Sequence, residues 1–360
     1  MRVIINGLGC PHTGARFILD QVLLSTPPDV QVTAFVPIVE HGSGFQAPAH
    51  VRLIKLKHSI WGMYLRVFLE AYINLLMLLK RYDRLINLSN YGLCFSRNQI
   101  LYIHNPLLLD MNAPTRLGNG NPNAPIRFAL NTCLRNADCI FVQTEHMYRQ
   151  LQLYCTINSI RFPQSVQIFR PPLPLPSIDQ IQEAISKTFE FQLFYPASQF
   201  PHKRADLSIE ATRLARKSND QIGLNITIDP LFHDEGINFL GPISRAEVYR
   251  HFKASDAMLF TSERETLGLP LLESIYFEKP AILPNKAYAR EVCGDAGIYY
   301  DKDTPEAISR AILYLTTNYQ EAVNRVKIKK KEIQETQQSW AQHWEAFLTC
   351  KKNTPTVLPA

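Results

Sequence analysis

The chain has 360 residues, more than one hydrophobic core usually accommodates, so two domains are expected. A composition of 46% hydrophobic and 19% charged residues, without a low-complexity tract, excludes a disordered or fibrous chain. The formal charge of +6 lies in the first half: residues 1–180 carry 16 Lys and Arg against 9 Asp and Glu, and the remainder 22 against 23. That excess suits an anionic partner, such as a membrane surface or a phosphorylated substrate, or a plain solvated surface; no basic cluster interleaved with aromatics singles out nucleic acid.

The first residues, Met1-Arg-Val-Ile-Ile-Asn-Gly, read as a strand entering a glycine turn and lack the cleavage region of a signal peptide. Apolar runs predict further strands at 32–36, 52–56, 85–88, 100–104 and 139–143, with helical periodicity over 15–24, 61–81 and 127–136. Within 61–79, Arg66, Glu70 and Asn74 recur every four residues, which places a narrow polar stripe on an otherwise apolar helix. The favoured reading is a packed core helix; the other is an interfacial helix at a membrane. Two charges near its middle argue against a spanning helix.

Arg170-Pro-Pro-Leu-Pro-Leu-Pro-Ser177 then blocks both helix and ladder hydrogen bonding, and residues 173–186 read as a linker. Beyond it, strands at 192–195, 224–228, 237–240, 257–261 and 281–283 alternate with helices at 205–217, 245–254, 270–277, 287–292 and 305–316. A helical tail covers 321–336 and 340–347, and 351–360 reads as frayed. The expected architecture is α/β: two doubly wound Rossmann-like domains, 1–172 and 187–336, facing each other across a cleft, with 337–350 returning to complete the first. The seven cysteines are scattered without a C-x-x-C pair, and read as small buried residues in a reducing cytosol rather than a disulfide framework or zinc site.

The chemistry concentrates in Thr261-Ser-Glu-Arg-Glu-Thr-Leu-Gly-Leu-Pro-Leu-Leu-Glu273. A strand ends in a polar loop, and Pro270 sits where a first helical turn tolerates its missing N–H. Glu265 then lies in the loop and Glu273 about one turn into the helix, beside amides that favour an anion. One carboxylate near a sugar, one near a ribose and a helix end near a diphosphate describe a sugar-nucleotide site.

With these residues in view, 193–315 resembles the nucleotide-binding domain of retaining glycosyltransferases of family 4, which have the two-domain GT-B architecture. Tyr195-Pro-Ala-Ser-Gln-Phe-Pro-His-Lys203 is similar to the family's first strand and phosphate loop, and Phe239-Leu-Gly-Pro-Ile-Ser244 to its F-x-G-x-(v/l)-(s/t) turn. Glu265 and Glu273 fall on its E-x7-E pattern, and Arg290-Glu-Val-Cys-Gly-Asp-Ala296 on its following acidic segment. The first half matches more loosely, through Gly7, Gly9 and Thr13-Gly-Ala-Arg-Phe17, through Ile103-His104-Asn105-Pro106, and through Phe141-Val-Gln-Thr-Glu145.

The resemblance implies roles by position. Glu273 accepts from the donor ribose hydroxyls, Glu265 contacts the transferred sugar, and Lys203 neutralises the leaving diphosphate. Ser198, Gly268 and Leu269 join Glu273, Lys203 and Gly9 in donor binding, and His104 lies near the reacting centre. Gly9 has a plain alternative in its own turn, and His104 in a satisfied strand-end histidine.

The sequence departs from the family at Ala197-Ser198, where a Gly-Arg pair usually grips the diphosphate. The expectations are therefore a cytoplasmic hexosyltransferase, peripheral at the inner membrane face through its first half. It uses a nucleoside-diphosphate sugar donor and a glycan or lipid-linked acceptor, without cofactor, metal or nucleic acid. An epimerase, or a non-catalytic nucleotide-sugar or glycan-binding protein, are the alternatives.

Overall fold

A computed structural model describes residues 1–10, 13–38, 46–57, 61–91, 98–110, 124–173, 175–176, 181, 185–230 and 234–351; the side chains of 13, 57, 61–67 and 124–126 fall outside that description. Much of the expected linker and almost all of the expected frayed terminus lie outside the described residues. The chain divides into two units: Met1–Pro172 with Gln338–Ala360, and Leu173–Gln337.

The first unit is built on a parallel sheet of β1 (Arg2–Asn6), β2 (Gln31–Ile38), β3 (Val51–Lys57), β4 (Arg84–Asn87), β5 (Gln99–Ile103), β6 (Cys139–Val142) and β7 (Val166–Ile168). They run in the order β3-β2-β1-β4-β5-β6-β7. Its helices are α1 (Thr13–Leu24), α2 (Trp61–Leu78), α3 (Ala124–Asn136) and α4 (Glu145–Ile157). The last three share one face, where Ile73, Leu130 and Leu151 meet Leu101 and Ile140 of the sheet. Neither α4 nor β7 was expected. A three-residue strand is too short for an alternation signal, whereas the α4 pattern of Met147, Leu151, Tyr154 and Cys155, capped by the Thr144 hydroxyl, is legible.

The second unit repeats the plan with β8 (Phe191–Tyr195), β9 (Ile222–Ile226), β10 (Ile237–Phe239), β11 (Ala257–Leu259), β12 (Ala281–Pro284) and β13 (Gly297–Tyr300), in the order β10-β9-β8-β11-β12-β13. All strand pairs of both sheets are parallel. Helices α5 (Ala205–Arg216), α6 (Arg245–Ala254), α7 (Leu269–Tyr276), α8 (Ala287–Cys293), α9 (Pro305–Thr317) and α10 (Tyr319–Thr336) complete it. Strand order reverses between β1 and β4 in one sheet and between β8 and β11 in the other. These are the switch points at which doubly wound sheets open a crevice beyond their carboxyl ends.

The chain then returns to the first unit as α11 (Trp340–Thr349). Trp344 and Phe347 are fully buried there, and the Trp344 indole N–H donates to the Val22 carbonyl at 3.0 Å. The Arg84 guanidinium donates to the carbonyls of Cys350 at 2.8 Å and Leu348 at 3.0 Å. One sequence expectation is corrected here: Cys139 and Cys350 form a disulfide across a separation of 211 residues. Spacing alone could not pair cysteines that only the return of α11 brings together.

A second correction concerns α2. Glu70, expected on a narrow polar stripe, is 3% exposed, and Ile73, Leu76 and Met77 are buried. Phe68, Tyr72, Leu75, Leu78 and Leu79 point outward instead. The helix is not a fully packed core element; it carries an apolar outer face.

Two outcomes are expected from these contacts. Trp344→Ala should destabilise the first unit by about 3–5 kcal/mol, the usual cost of deleting a buried tryptophan, as read from urea unfolding. Thiol titration of the denatured chain should count at least two thiols fewer before reduction than after it; equal counts would contradict the disulfide.

Candidate functional site

The switch point of the second sheet is assembled from two loops. After β8 the chain makes a 3-10 turn, Pro201–Lys203, and Arg204 enters α5 in the left-handed region at φ 47°. After β11, Thr261 donates through its hydroxyl to the carbonyls of Lys203 at 3.0 Å and Arg204 at 2.9 Å. The Tyr195 hydroxyl donates to the Lys203 carbonyl at 2.6 Å, and the Glu263 amide to the His202 carbonyl at 2.7 Å. The Tyr288 hydroxyl holds the Ser262 carbonyl. Such convergence fixes the backbone on both sides of the crevice, so the side chains it carries are placed by rigid supports.

Those side chains form two ion pairs. Lys203 pairs with Glu265, both largely buried. Arg245, in the first turn of α6, pairs with Glu273 of α7. Gly268 starts α7 at φ 65°, a conformation that favours glycine, and an added Cβ would also press on Leu271 Cδ1 at 3.0 Å. Leu269 and Pro270 follow in the first turn, leaving the α7 N-terminus beside Glu265. Ser198 is partly buried on the loop that leads to Lys203, and no hydrogen bond or ion pair joins it to Lys203 or Glu265.

Glu273 is 1% exposed. Burial pushes its carboxyl up to about 7, against the opposing pull of Arg245. Burial is the largest influence on the Arg245 guanidinium and lowers it, but the Glu273 charge and the Tyr249 phenol together outweigh it, and the net shift is upward. Arg245 also donates through Nε to the Tyr249 hydroxyl at 2.9 Å and lies 5.3 Å from the centre of that ring. Burial, and next to it the Lys203 charge, lowers His202.

The first unit carries its own cluster at the β1–β4 switch point. The Gly9 amide donates to the Ser89 hydroxyl at 2.8 Å, and a Cβ on Gly9 would lie 2.9 Å from Ser89 Cβ and 3.0 Å from its carbonyl oxygen. The close approach that Gly9 permits is thus to Ser89, and its N–H is already engaged. His104 follows β5. Its Nε2 lies 2.7 Å from the Leu88 carbonyl, an acceptor only, so Nε2 carries the hydrogen. The His104 amide donates to Asn90 Oδ1 at 2.6 Å, and Asn90 itself sits at φ 65°. Burial lowers the imidazole, partly offset by the Leu88 carbonyl.

With this geometry in hand, comparison with known proteins is informative. Residues 228–332 match the family model of Glycosyl transferases group 1. The matched group 1 domain contains Arg245, Glu265, Gly268, Leu269 and Glu273, and begins after Lys203. Solved structures of the same fold include sucrose-phosphate synthase (tll1590) from Thermosynechococcus elongatus, 13% identical, with a TM-score of 0.72 over 96% of each chain. WaaG, a glycosyltransferase involved in lipopolysaccharide biosynthesis, is 14% identical, with a TM-score of 0.69 over 97% of this chain and 99% of its own. Anabaena Alr3699/HepE in complex with UDP and glucose is 13% identical, with a TM-score of 0.66 over 97% of this chain and 100% of its own. At such identities the likeness shows the fold: two Rossmann-like α/β units of the GT-B kind. No curated protein sequence matches the chain.

The structure brings together Lys203 with Glu265, and Arg245 with Glu273, inside one unit. Gly9 and His104 belong to the other unit. Arg245 was missed from the sequence. A signal for it existed: a cation in the first turn of a helix opposes the macrodipole, so a fixed negative partner is needed to hold it there. Ser244 and Glu247 form the capping box that starts this helix.

The raised Glu273 carboxyl has a testable sign. Its value of about 7 lies above the ordinary 4.5, so ionisation is costlier in the folded state. Its contribution to stability is full below about 4.5 and is lost as pH rises to about 7. Glu273→Gln cannot ionise, so its melting temperature should gain on wild type between about pH 5 and pH 8 and stay level above that. A gap that does not change with pH would contradict the assignment.

Proposed function

We propose that the chain is a retaining hexosyltransferase that moves a sugar from a nucleoside-diphosphate sugar to a glycan or lipid-linked acceptor, without a metal. The observation that carries this reading is the pairing of both E-x7-E carboxylates with cations at the carboxyl edge of a group 1 domain. A donor brings two hydroxyls for Glu273 and a diphosphate for the cations. HepE, of the same fold, is seen with UDP and glucose, which places UDP-sugars first among donors to try.

In the proposed reaction Glu273 accepts hydrogen bonds from the ribose hydroxyls, as its buried carboxylate has no water to satisfy it. Lys203 exchanges Glu265 for the diphosphate, and the α7 N-terminus adds its amides. Glu265, so released, faces the sugar and its developing positive charge. The bond from C1 to the phosphate oxygen breaks as the bond from C1 to the acceptor oxygen forms on the same face. The acceptor's proton passes to the departing phosphate oxygen, so no glycosidase-like pair of carboxylates is needed. The role that the resemblance implies for His104 is part of the same proposal, and burial lowers its imidazole. Without an arginine at position 198, charge stabilisation falls to Lys203 and Arg245.

A panel of UDP, GDP, ADP and their sugar conjugates tests the donor part. A true donor should raise the melting temperature with concentration, and Glu273→Ala should abolish the effect. With that donor, Lys203→Ala should lower transfer by about 10²–10³-fold, the usual cost of losing one group that stabilises the leaving charge. His104→Ala should keep donor binding and lose transfer. Binding without transfer or slow donor hydrolysis would instead favour a nucleotide-sugar-binding protein, the reading that Ser198 supports. Product formed without any acceptor would favour an epimerase.

A further inference from the structure

The outer face of α2 is inverted relative to an ordinary surface helix. Between Phe68 and Leu79 every exposed residue is apolar: Phe68, Ala71, Tyr72, Leu75, Leu78 and Leu79. Phe68 is 73% and Leu78 79% exposed. Of the polar residues of the same stretch, Glu70 is buried and Asn74 half-buried, with the Asn74 side chain donating to the Glu70 carbonyl at 2.8 Å. A helix in water places its charges outside, and a contiguous apolar patch of this kind marks a surface that meets something other than water.

The charges around the face indicate what it meets. Lys80 and Arg81 follow directly and are both exposed. Arg52 is exposed on β3, two residues before Ile54 and therefore on the face of the strand where Ile54 and Leu56 pack against the α2 cluster. No carboxylate projects outward from the described part of α2, and the nearby Asp83 accepts from the Arg2 amide at 2.7 Å. On the same layer of this unit, α3 exposes Phe128 and α4 exposes Leu153 and Ile157. The half of the chain that carries all of this holds 16 Lys and Arg against 9 Asp and Glu. No described helix is long and apolar enough to cross a membrane, so α2 would lie along a surface.

We propose that this face of the first unit docks onto an anionic lipid bilayer. Phe68, Tyr72, Leu75, Leu78 and Leu79 enter the boundary between headgroups and acyl chains, and Lys80, Arg81 and Arg52 reach the phosphates. The inference goes beyond the transferase reading and needs no donor, so its failure and the failure of that reading are separable. It does give that reading a consequence: acceptors presented on a lipid surface become accessible to a bound enzyme.

The test is co-sedimentation of the full chain with vesicles of phosphatidylcholine, alone or mixed with phosphatidylglycerol, at low and high salt. Wild type should bind the anionic vesicles only, and salt should weaken binding. Lys80→Ala with Arg81→Ala should lose roughly fivefold in partition for each charge removed. Leu75→Glu with Leu78→Glu should abolish binding with no change in melting temperature, because both side chains are already exposed. Light scattering on the same proteins covers the competing occupant, a second copy of the chain. Three results would overturn the proposal: equal binding to neutral vesicles, binding to neither kind, or a dimer that the double glutamate variant disperses.

Discussion

Glu273 is almost out of reach of water, and its charged form requires a cation over it, since burial pushes the carboxyl up to about 7 even against Arg245. Everything else at that edge of the sheet follows from this requirement. Arg245 must stand in the first turn of α6, against the helix dipole, because Glu273 faces it. Tyr249 must support Arg245 with its hydroxyl and its ring. The neighbouring pair of Lys203 and Glu265 solves the same problem one loop away. A buried carboxylate seldom repays its desolvation as stability alone, and the proposed donor site gives these pairs another purpose.

Parallel pairing decides where this happens. Every crossover helix returns the chain to the same end of the sheet, so all loops leaving the strands gather at one edge. Reversal of strand order between β8 and β11 then parts two of those loops, 196–204 and 260–268. Hydrogen bonds from Tyr195, Thr261 and Glu263 to the carbonyls of 202–204 lock the two loops together, so the backbone that carries Lys203 and Glu265 is fixed. The first unit uses its own reversal between β1 and β4 differently. There the Gly9 amide is held by the Ser89 hydroxyl, and His104 by Asn90 and the Leu88 carbonyl.

α2 shows how one periodicity admits two opposite structures. Glu70 and Asn74 do lie on one side of the helix, as their spacing requires, but Glu70 is buried against the protein and Asn74 half-buried. Periodicity defines a stripe and leaves its direction open. Hydrophobic burial would normally settle the direction, and here the outward apolar face runs against it. Such an exception is informative because contiguous apolar patches on a surface mark sites of interaction. The disulfide between Cys139 and Cys350 is another such case: two cysteines more than two hundred residues apart meet only because α11 comes back to the first sheet.

The alternation of strands and helices, the proline-rich interruption and the E-x7-E spacing were legible in the amino-acid order, because each depends on residues close together along the chain. Local dihedral preferences and short-range periodicity carry that information. The positions of Glu265 and Glu273 around the start of α7 follow from Pro270 and Gly268 alone. The partners of those acids did not follow: Lys203 lies 62 residues before Glu265, and Arg245 belongs to a different helix from Glu273. Which cation covers which carboxylate, which way α2 turns its apolar side, and which cysteines meet were decided only when the sheets closed. Each depends on contacts between segments far apart in sequence, and no local rule of spacing or propensity encodes such contacts.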